Sequence, residues 1–126
     1  ESGLCALIGV ETGDTEKDAV YMAGKIAKLR ICEDAEGKMN RSLLDTGGKV
    51  LAVSQFTLLG DARGQNRPGF TRAEAPEPAN ALYERLCREL RALGVGVENG
   101  VFRTHMQVHL INDGPVTILL DSRKTF

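Results

Sequence analysis

The sequence predicts a single α+β domain over residues 1–126, in which a curled, barrel-like, mixed or antiparallel β-sheet carries two packed helices. The chain has 126 residues, of which 42% are apolar and 26% are charged, and this size and composition are typical of one globular domain. Two segments repeat apolar residues at helical spacing. The remaining segments are mostly short, apolar or alternating and end in turn residues, so strands outnumber helices.

The first half of the chain contains strand-like and helix-like patterns in turn. Residues 3–10, "GLCALIGV", form an apolar run bounded by glycine, which predicts a strand. A Thr-x-x-Asp capping box and apolar residues at 3.6-residue spacing predict a helix over 15–30. Residues 31–50 mix short apolar pieces with Glu-Gly and Gly-Gly turns, which predicts hairpin-like strands. Residues 49–60, "KVLAVSQFTLLG", are apolar and β-branched and give the strongest strand prediction.

The second half begins with a long polar segment, residues 61–78, which has no period and predicts an exposed loop. An apolar stripe then predicts a helix over 79–93 that ends at a glycine. Residues 94–102 predict a strand with an Asn-Gly turn. Alternation over 105–111 and the apolar run 115–121 predict two more strands, which complete the order β-α-β-β-β-α-β-β-β.

Charge and cysteine content limit the classes of function. The net charge of −1 gives no overall basic signal for nucleic acid, so an RNA or DNA partner requires a local basic patch or a shaped pocket. The three cysteines are far apart and form no Cys-x-x-Cys pair, which predicts reduced thiols in a cytoplasmic protein. The apolar surroundings of Cys5 and Cys32 predict that these two are buried. No apolar run is long enough for a membrane span.

The segment "SQFT", residues 54–57, interrupts the strongest predicted strand with polar side chains. On a strand of period two, Ser54 and Phe56 face one side, and Gln55 and Thr57 face the other. One interpretation is a strand end with a solvated face. The other is a pocket lined by backbone N–H groups and hydroxyls, which are the donors that an oxyanion hole needs.

Two histidines, His105 and His109, are the only candidates for a metal pair. Their i, i+4 spacing places both on one face of a strand. No Cys, Asp or Glu follows at a spacing typical of a third ligand, so we expect neither a metal nor another cofactor.

Four basic residues fall in predicted turns and loops and are candidates for contacts with phosphates: Lys38, Arg63, Arg67 and Arg72. A solvated loop accounts equally well for charges at these positions.

Two motifs together resemble the D-aminoacyl-tRNA deacylase family, also known as the D-tyrosyl-tRNA deacylases. They are "SQFTLLGD" at 54–61 and "NDGPVT" at 112–117. The resemblance extends over essentially the whole chain, and it includes "EGKMNRSLLD" at 36–45, "RPGF" at 67–70, "LYERL" at 82–86 and "MQVHLINDGPVT". Either short motif alone is weak evidence, whereas the pair in this order is specific.

The resemblance implies a homodimeric α+β enzyme that hydrolyses the ester joining a D-amino acid to the terminal adenosine of tRNA. Such an enzyme serves translation quality control in the cytoplasm and needs no cofactor. Family members begin with a further N-terminal segment that forms the first strands and carries an arginine that orients the Gly-Pro motif. We therefore expect such a segment to precede residue 1.

The resemblance also assigns roles to Ser54, Gln55, Phe56 and Thr57, which match the catalytic segment of the family. It implies that the backbone N–H of Phe56 contacts the oxyanion. It leaves open whether Thr57 acts by its hydroxyl or by its backbone. Catalysis assisted by the 2′-OH of the terminal ribose fits the absence of an obvious general base.

Chiral selection is implied for Gly114 and Pro115, which match a Gly-cis-Pro motif that enters the active site of the other subunit. Its carbonyl oxygens face the substituents of the aminoacyl Cα and leave an L side chain no room. Asn112 and Met106 are expected to support this substrate-binding region. Glycine mischarged on tRNA(Ala) has no side chain to clash and is an expected second substrate.

Three alternatives stay open at the level of sequence. The related deacylase with relaxed chirality has a strand motif that begins with proline, so "SQFT" argues against it. A non-catalytic nucleic-acid-binding dimer on the same fold would show a basic surface and a blocked pocket. A metal-dependent hydrolase would use His105 and His109.

Overall fold

The computed structural model describes residues 2–126, and it contains five strands and three α-helices within that part of the chain. In chain order they are β1 (Gly3–Ile8), α1 (Glu16–Lys28), β2 (Cys32–Glu33), β3 (Met39–Arg41), α2 (Leu43–Thr46), β4 (Lys49–Ser54), α3 (Pro76–Ala92) and β5 (Gly96–Asn99).

The main sheet has three strands in the order β1-β4-β5, and both pairings are parallel. Parallel neighbours need crossover connections, which α1 and α3 supply. The two helices contact each other and share one hydrophobic core with β4, so both cover the same face of the sheet. The short strands β2 and β3 form a separate antiparallel pair. The α+β class is therefore confirmed, with parallel and antiparallel pairings in separate sheets.

Helix α1 begins where its capping box predicts. The backbone N–H of Thr15 donates to the carboxylate of Asp18 at 2.8 Å, and this bond lowers the pKa of Asp18. The buried face of the helix consists of Ala19, Ala23, Ile26 and Ala27, whose spacing gives one apolar stripe. The predicted helix over 15–30 is confirmed.

Helix α3 carries the larger apolar stripe, formed by Ala79, Tyr83, Leu86, Cys87 and Leu90. It starts at Pro76. Proline is well tolerated in the first turn of a helix, because the N–H that proline lacks would have no acceptor within the helix at that position. It packs on α1 and on the buried residues Val50 and Ala52 of β4. None of the helices within residues 2–126 is long and apolar enough to cross a membrane.

The opposite face of the main sheet is open in this chain. Side chains of β1 alternate in exposure, so Cys5 and Leu7 point away from the helices and are exposed. The expectation that Cys5 is a buried thiol is therefore wrong, and Cys32, for which burial was also expected, is only half-buried. Parallel sheets normally have both faces covered, so this open face is unusual.

The sequence predicted two packed helices, and α2 is an additional one-turn helix within the predicted hairpin region. Ser42 caps it: its backbone N–H and hydroxyl both donate to the carboxylate of Asp45, at 2.8 Å and 3.1 Å. The Ser-x-x-Asp spacing was therefore a usable signal for a helix start. Strands β2 and β3 confirm the rest of the hairpin prediction.

The two strands predicted over 105–111 and 115–121 are wrong for this chain, because neither segment forms regular structure. A strand requires a neighbour, and no described strand pairs with either segment. Many of their apolar side chains are exposed, with Ile111 92% and Leu119 71% accessible. The described residues 2–126 contain no closed barrel, so the barrel-like description is not confirmed.

Candidate active site

The segment "SQFT" lies at the carboxyl edge of the main sheet, where β4 ends. Ile8 and Ser54 are register partners, and the N–H of Gln55 continues the ladder by donating to the carbonyl oxygen of Ile8 at 2.7 Å. In open parallel sheets, ligands bind beside the carboxyl ends of the strands. The strongest predicted strand thus leads directly to a favourable position for a site.

The strand prediction over 49–60 was too long, because the backbone turns into a 3₁₀ helix at Phe56–Leu59. The N–H of Leu58 donates to the carbonyl of Gln55 at 3.2 Å, and the N–H of Gly60 donates to that of Thr57 at 3.0 Å. The expected alternation of side chains beyond Ser54 is therefore wrong, since a 3₁₀ helix repeats every three residues.

This turn presents backbone donors at its start. The N–H groups of Phe56 and Thr57 have no acceptor inside the 3₁₀ helix, because they belong to its first turn. Gly9, at the end of β1, allows the turn to approach closely: a Cβ on Gly9 would lie 2.6 Å from Cδ2 of Leu59. Two adjacent donors at the edge of a sheet can stabilise a developing oxyanion.

The side chains of the segment have different surroundings. Ser54 and Gln55 are half-buried, whereas Phe56 and Thr57 are exposed. The side-chain amide of Gln55 donates to the hydroxyl oxygen of Thr57. The ring of Phe56 meets that of Phe70 edge to face, with centroids 5.1 Å apart.

The predicted loop over 61–78 is three residues too long, because α3 begins at Pro76, and the preceding residues fold back on the 3₁₀ helix. Asp61 and Gly69 exchange two backbone hydrogen bonds of 2.8 Å, which places "RPGF" beside "SQFT". The guanidinium of Arg63 donates to both carboxylate oxygens of Asp61, at 2.9 Å and 2.7 Å. This pairing holds the pKa of Asp61 well below its usual range.

The other basic residues that are candidates for phosphate contacts lie in different parts of the structure. Arg67 is exposed near the tip of this loop, and Arg72 pairs with Glu11 at 3.9 Å. Lys38 lies in the turn between β2 and β3, where its ammonium group is 3.9 Å from Glu36. The basic residues therefore do not form one cluster.

The "NDGPVT" turn is held by Asn112. Its side-chain oxygen accepts the N–H of Val116 at 3.0 Å, and its amide donates to the hydroxyl of Thr117 at 3.1 Å. The Gly114-Pro115 peptide bond is cis, and Gly114 has a φ of +147°, which L side chains rarely adopt.

Met106 is half-buried and lies against Gly100, since a Cβ on that glycine would be 2.5 Å from the methionine sulfur. It therefore packs at the start of the segment that carries the turn. This contact is within its own chain.

No hydrogen bond joins residues 54–57 to residues 112–117 within the described part of the chain. The turn lies on an arm, residues 103–119, between Phe102 and Leu120, which both pack against the core. Among the described residues of a single chain, no hydrogen bond therefore connects the two motifs that carry the resemblance.

Sequence reasoning missed Arg123, which fixes the chain just after the arm. Its guanidinium donates to Asp14 at 2.9 Å and to the carbonyl oxygen of Thr12 at 2.8 Å, and it lies 3.2 Å from Glu11. Partners more than a hundred residues apart leave no local sequence signal.

His105 and His109 do not meet a third ligand. Among residues 2–126, no three His, Cys, Asp or Glu side chains come together in a group that could hold a metal ion. The histidine pair therefore gives no geometric support for a metal-dependent hydrolase.

Comparison with known proteins identifies the family. The model of the D-Tyr-tRNA(Tyr) deacylase family matches residues 1–121. The chain is 62% identical over 124 residues to the D-aminoacyl-tRNA deacylase of Anaeromyxobacter dehalogenans, covering 98% of this chain and 83% of that protein. It is 60% identical over 124 residues to the D-aminoacyl-tRNA deacylase of Symbiobacterium thermophilum, covering 98% and 82%.

The solved structures agree on the fold. One named c-Myc DNA Unwinding Element Binding Protein superposes with a TM-score of 0.85 at 39% identity, covering 93% of this chain and 80% of that one. Another, described as a probable eukaryotic D-amino acid tRNA deacylase, gives a TM-score of 0.55 at 21% identity, covering 71% and 52%. The chain therefore belongs to the D-Tyr-tRNA(Tyr) deacylase family.

Proposed function

We propose that this protein is a D-aminoacyl-tRNA deacylase, a hydrolase that cleaves the ester between a D-amino acid and the 3′-terminal adenosine of tRNA in the cytoplasm. The observation that carries the proposal is the "SQFT" turn at the carboxyl edge of the sheet, with its two backbone donors. The curated relatives, which cover nearly the whole chain and bear this name, support it.

The chemistry follows from what the turn offers. The carbonyl oxygen of the ester becomes an oxyanion in the transition state and accepts hydrogen bonds from the N–H groups of Phe56 and Thr57. The hydroxyl of Thr57 accepts a hydrogen bond from the side-chain amide of Gln55, and no hydrogen bond in the described part of the chain joins it to a basic group. The resemblance to the family implies that the terminal ribose 2′-OH assists the attack of water on the ester, and the protein contributes positioning and electrostatic stabilisation. Ser54 supports the turn at the last position of β4.

Chirality is selected by the "NDGPVT" turn. The carbonyl oxygens around Gly114 and Pro115 face the aminoacyl Cα, capture the α-amino group and exclude an L side chain by steric clash. The hydrogen bonds of Asn112 hold the turn, and Met106 supports the start of the arm. Glycine carried by tRNA(Ala) is not excluded from the site, because it has no side chain to clash with these carbonyl oxygens.

The complete site requires a homodimer. A single chain leaves "SQFT" and "NDGPVT" unconnected, and it exposes one face of a parallel sheet together with an apolar arm. A second copy supplies the covering surface, and the arm of one subunit enters the site of the other. Association of the arms also gives the alternating segment 105–111 a neighbour, so that barrel-like closure of the sheets arises in the dimer.

Contacts with the tRNA near the ester come from the loops beside the site. Arg67 is exposed in the loop that packs on "SQFT", and Arg63 lies in the same loop with its charge shared by Asp61. Lys38 contacts phosphates from the β2–β3 turn.

A second candidate, a nucleic-acid-binding protein without activity, is favoured by one observation. The solved structure with a TM-score of 0.85 is named for binding a DNA unwinding element. The net charge of −1 argues against DNA as the main partner of this chain.

The deciding experiment incubates the protein with D-tyrosyl-tRNA and, in parallel, with L-tyrosyl-tRNA. We expect rapid loss of the D-ester and retention of the L-ester. Absence of D-specific hydrolysis, with nucleic acid still bound, would contradict the enzyme and favour the binding protein. Equal loss of both esters would instead indicate the related deacylase with relaxed chirality.

A further inference from the structure

A shallow groove of about 490 Å³ lies at the carboxyl end of α1, at the other end of the helix from the candidate active site. It is lined by the last turns of the helix and the residues that follow: Tyr21, Gly24, Lys25, Lys28, Leu29 and Arg30. Three of these six side chains are cationic, and none of the six is acidic.

Among the described residues, the charges of Lys25 and Lys28 are not compensated by ion pairs, whereas Arg30 interacts electrostatically with Asp45. Within residues 2–126, no carboxylate lies at ion-pair distance from Lys25 or Lys28, and both are exposed. The guanidinium of Arg30 donates to the backbone oxygen of Asn40 at 2.9 Å and to its side-chain oxygen at 3.0 Å, which are neutral acceptors. The ammonium group of Lys124 adds a further cation, 5.7 Å from the centroid of the Tyr21 ring.

Gly24 lines the groove without a side chain. A glycine inside a helix is unfavourable relative to alanine, so its presence requires a reason. Packing gives none, because a Cβ built on Gly24 would meet no atom within 4 Å. The missing side chain instead leaves room between Tyr21 and Lys28 for a ligand to approach the helix backbone.

The helix dipole accounts for part of this arrangement, because cations are favoured near the carboxyl end of a helix. It does not account for the glycine in the floor of the groove. It also does not account for Lys124, which belongs to the C-terminal segment and places its ammonium group over the ring of Tyr21, a lining residue. The combination of cations around an open floor is the form of a site for phosphate groups.

The position of the groove fits a long RNA ligand. Helix α1 starts after the turn at the carboxyl edge of the sheet and runs back across it for 13 residues, a length of about 20 Å. The 3′ end of tRNA is a short single strand that joins the acceptor stem. With the terminal adenosine held at "SQFT", a stem that follows α1 along the protein surface would meet this groove.

We propose that the groove formed by Tyr21, Gly24, Lys25 and Lys28 binds the phosphodiester backbone of the tRNA acceptor stem. This inference rests on the proposed function, since it assumes an aminoacyl-tRNA substrate. The groove contributes electrostatically to binding and does not read the RNA sequence, so we expect it to bind tRNA of any identity.

The first test replaces both lysines, as Lys25→Gln/Lys28→Gln, and measures the binding of uncharged tRNA over a series of salt concentrations. Each lost phosphate contact weakens binding about fivefold to tenfold at 0.1 M salt and lowers the slope of log affinity against log salt by about one. The matched control is Lys17→Gln, since Lys17 is exposed on the same helix outside the groove. An equal effect of this control, or no effect of the double variant, would overturn the proposal.

The second test compares two substrates: D-tyrosyl-tRNA and the D-tyrosyl ester of adenosine alone. The double variant should raise KM for the tRNA substrate and leave kcat/KM for the adenosine ester unchanged. Loss on both substrates would mean that the lysines support the fold or the site and do not bind the stem.

A third variant, Gly24→Leu, fills the groove without changing its charge. The open space at Gly24 and the higher helix propensity of leucine predict a folded protein of at least equal thermal stability. Its affinity for tRNA should nevertheless fall, and unchanged affinity would contradict a ligand seated on the floor. If the wild type hydrolyses neither ester, the proposed function fails, whereas the binding of uncharged tRNA still tests the groove.

Discussion

The phenol hydroxyl of Tyr83 donates a 2.8 Å hydrogen bond to the carbonyl oxygen of Ala52, which ties α3 to the central strand two residues before Ser54. Both residues are buried. We expect Tyr83→Phe to lower the free energy of unfolding by about 1–2 kcal/mol, because a buried acceptor loses its partner. Urea denaturation measures this change, and Tyr21→Phe, at an exposed ring, is the matched control.

The same tyrosine provides a test in alkaline solution. Burial, as the largest cause, raises the pKa of Tyr83 to about 12, whereas an unfolded tyrosine titrates near pH 10. The folded protein therefore retains this proton more tightly. The stabilisation that the protonated phenol contributes is complete below about pH 10 and is lost between about pH 10 and 12. The difference in stability between wild type and Tyr83→Phe should shrink over this range. A constant difference would contradict the burial of an ionisable phenol.

Much of the fold could be predicted from local pattern. Each of α1, α3 and β4 buries apolar side chains in the core. The spacing of these apolar residues along the sequence therefore predicts the elements directly. The segments 105–111 and 115–121 have the pattern of strands as well, but pattern does not supply a neighbouring strand. Pairing is a tertiary property, and this chain by itself does not satisfy it.

The candidate site shows the same division. The polar "SQFT" residues marked a position on the sequence, but the 3₁₀ helix that presents their N–H groups depends on the close approach that Gly9 allows. The contact between Phe56 and Phe70 depends on the backbone pairing of Asp61 with Gly69. These contacts join residues that are distant in sequence, so no local motif could predict them.

The role of the Phe56 backbone can be tested by comparing two substitutions. Phe56→Pro removes the N–H at the first position of the 3₁₀ helix, where the fixed φ of proline is compatible with the turn. Phe56→Ala removes the same ring and keeps the N–H. We expect the proline variant to lower kcat for D-tyrosyl-tRNA by a further ~100-fold or more relative to the alanine variant. Equal activity of the two variants would exclude this N–H as the oxyanion donor.

The role of the Thr57 hydroxyl is tested by Thr57→Ala. The hydroxyl accepts a hydrogen bond from Gln55 and is exposed, and its backbone N–H is unaffected by the substitution. We expect deacylation of D-tyrosyl-tRNA to fall by less than about tenfold, which corresponds to one lost neutral hydrogen bond. Single-turnover rates with circular dichroism as a folding check provide the measurement. Complete loss of activity in a folded variant would indicate that the hydroxyl is the nucleophile.

The geometry of the "NDGPVT" turn is tested by Gly114→Ala. Gly114 has a φ of +147°, and an added Cβ would lie 3.0 Å from Cγ2 of Val116 and 3.2 Å from its backbone nitrogen. Strain of about 1–3 kcal/mol at this residue moves the turn, because the exposed arm can shift more easily than the core. We expect deacylation of D-tyrosyl-tRNA to fall at least about tenfold, since carbonyl oxygens displaced from the Cα no longer hold the substrate. The control is Gly37→Ala, at a φ of +78° in the β2–β3 turn with open space around it, which should lower stability slightly and leave the rate unchanged. Full D-specific activity in Gly114→Ala would show that the turn does not position the aminoacyl group.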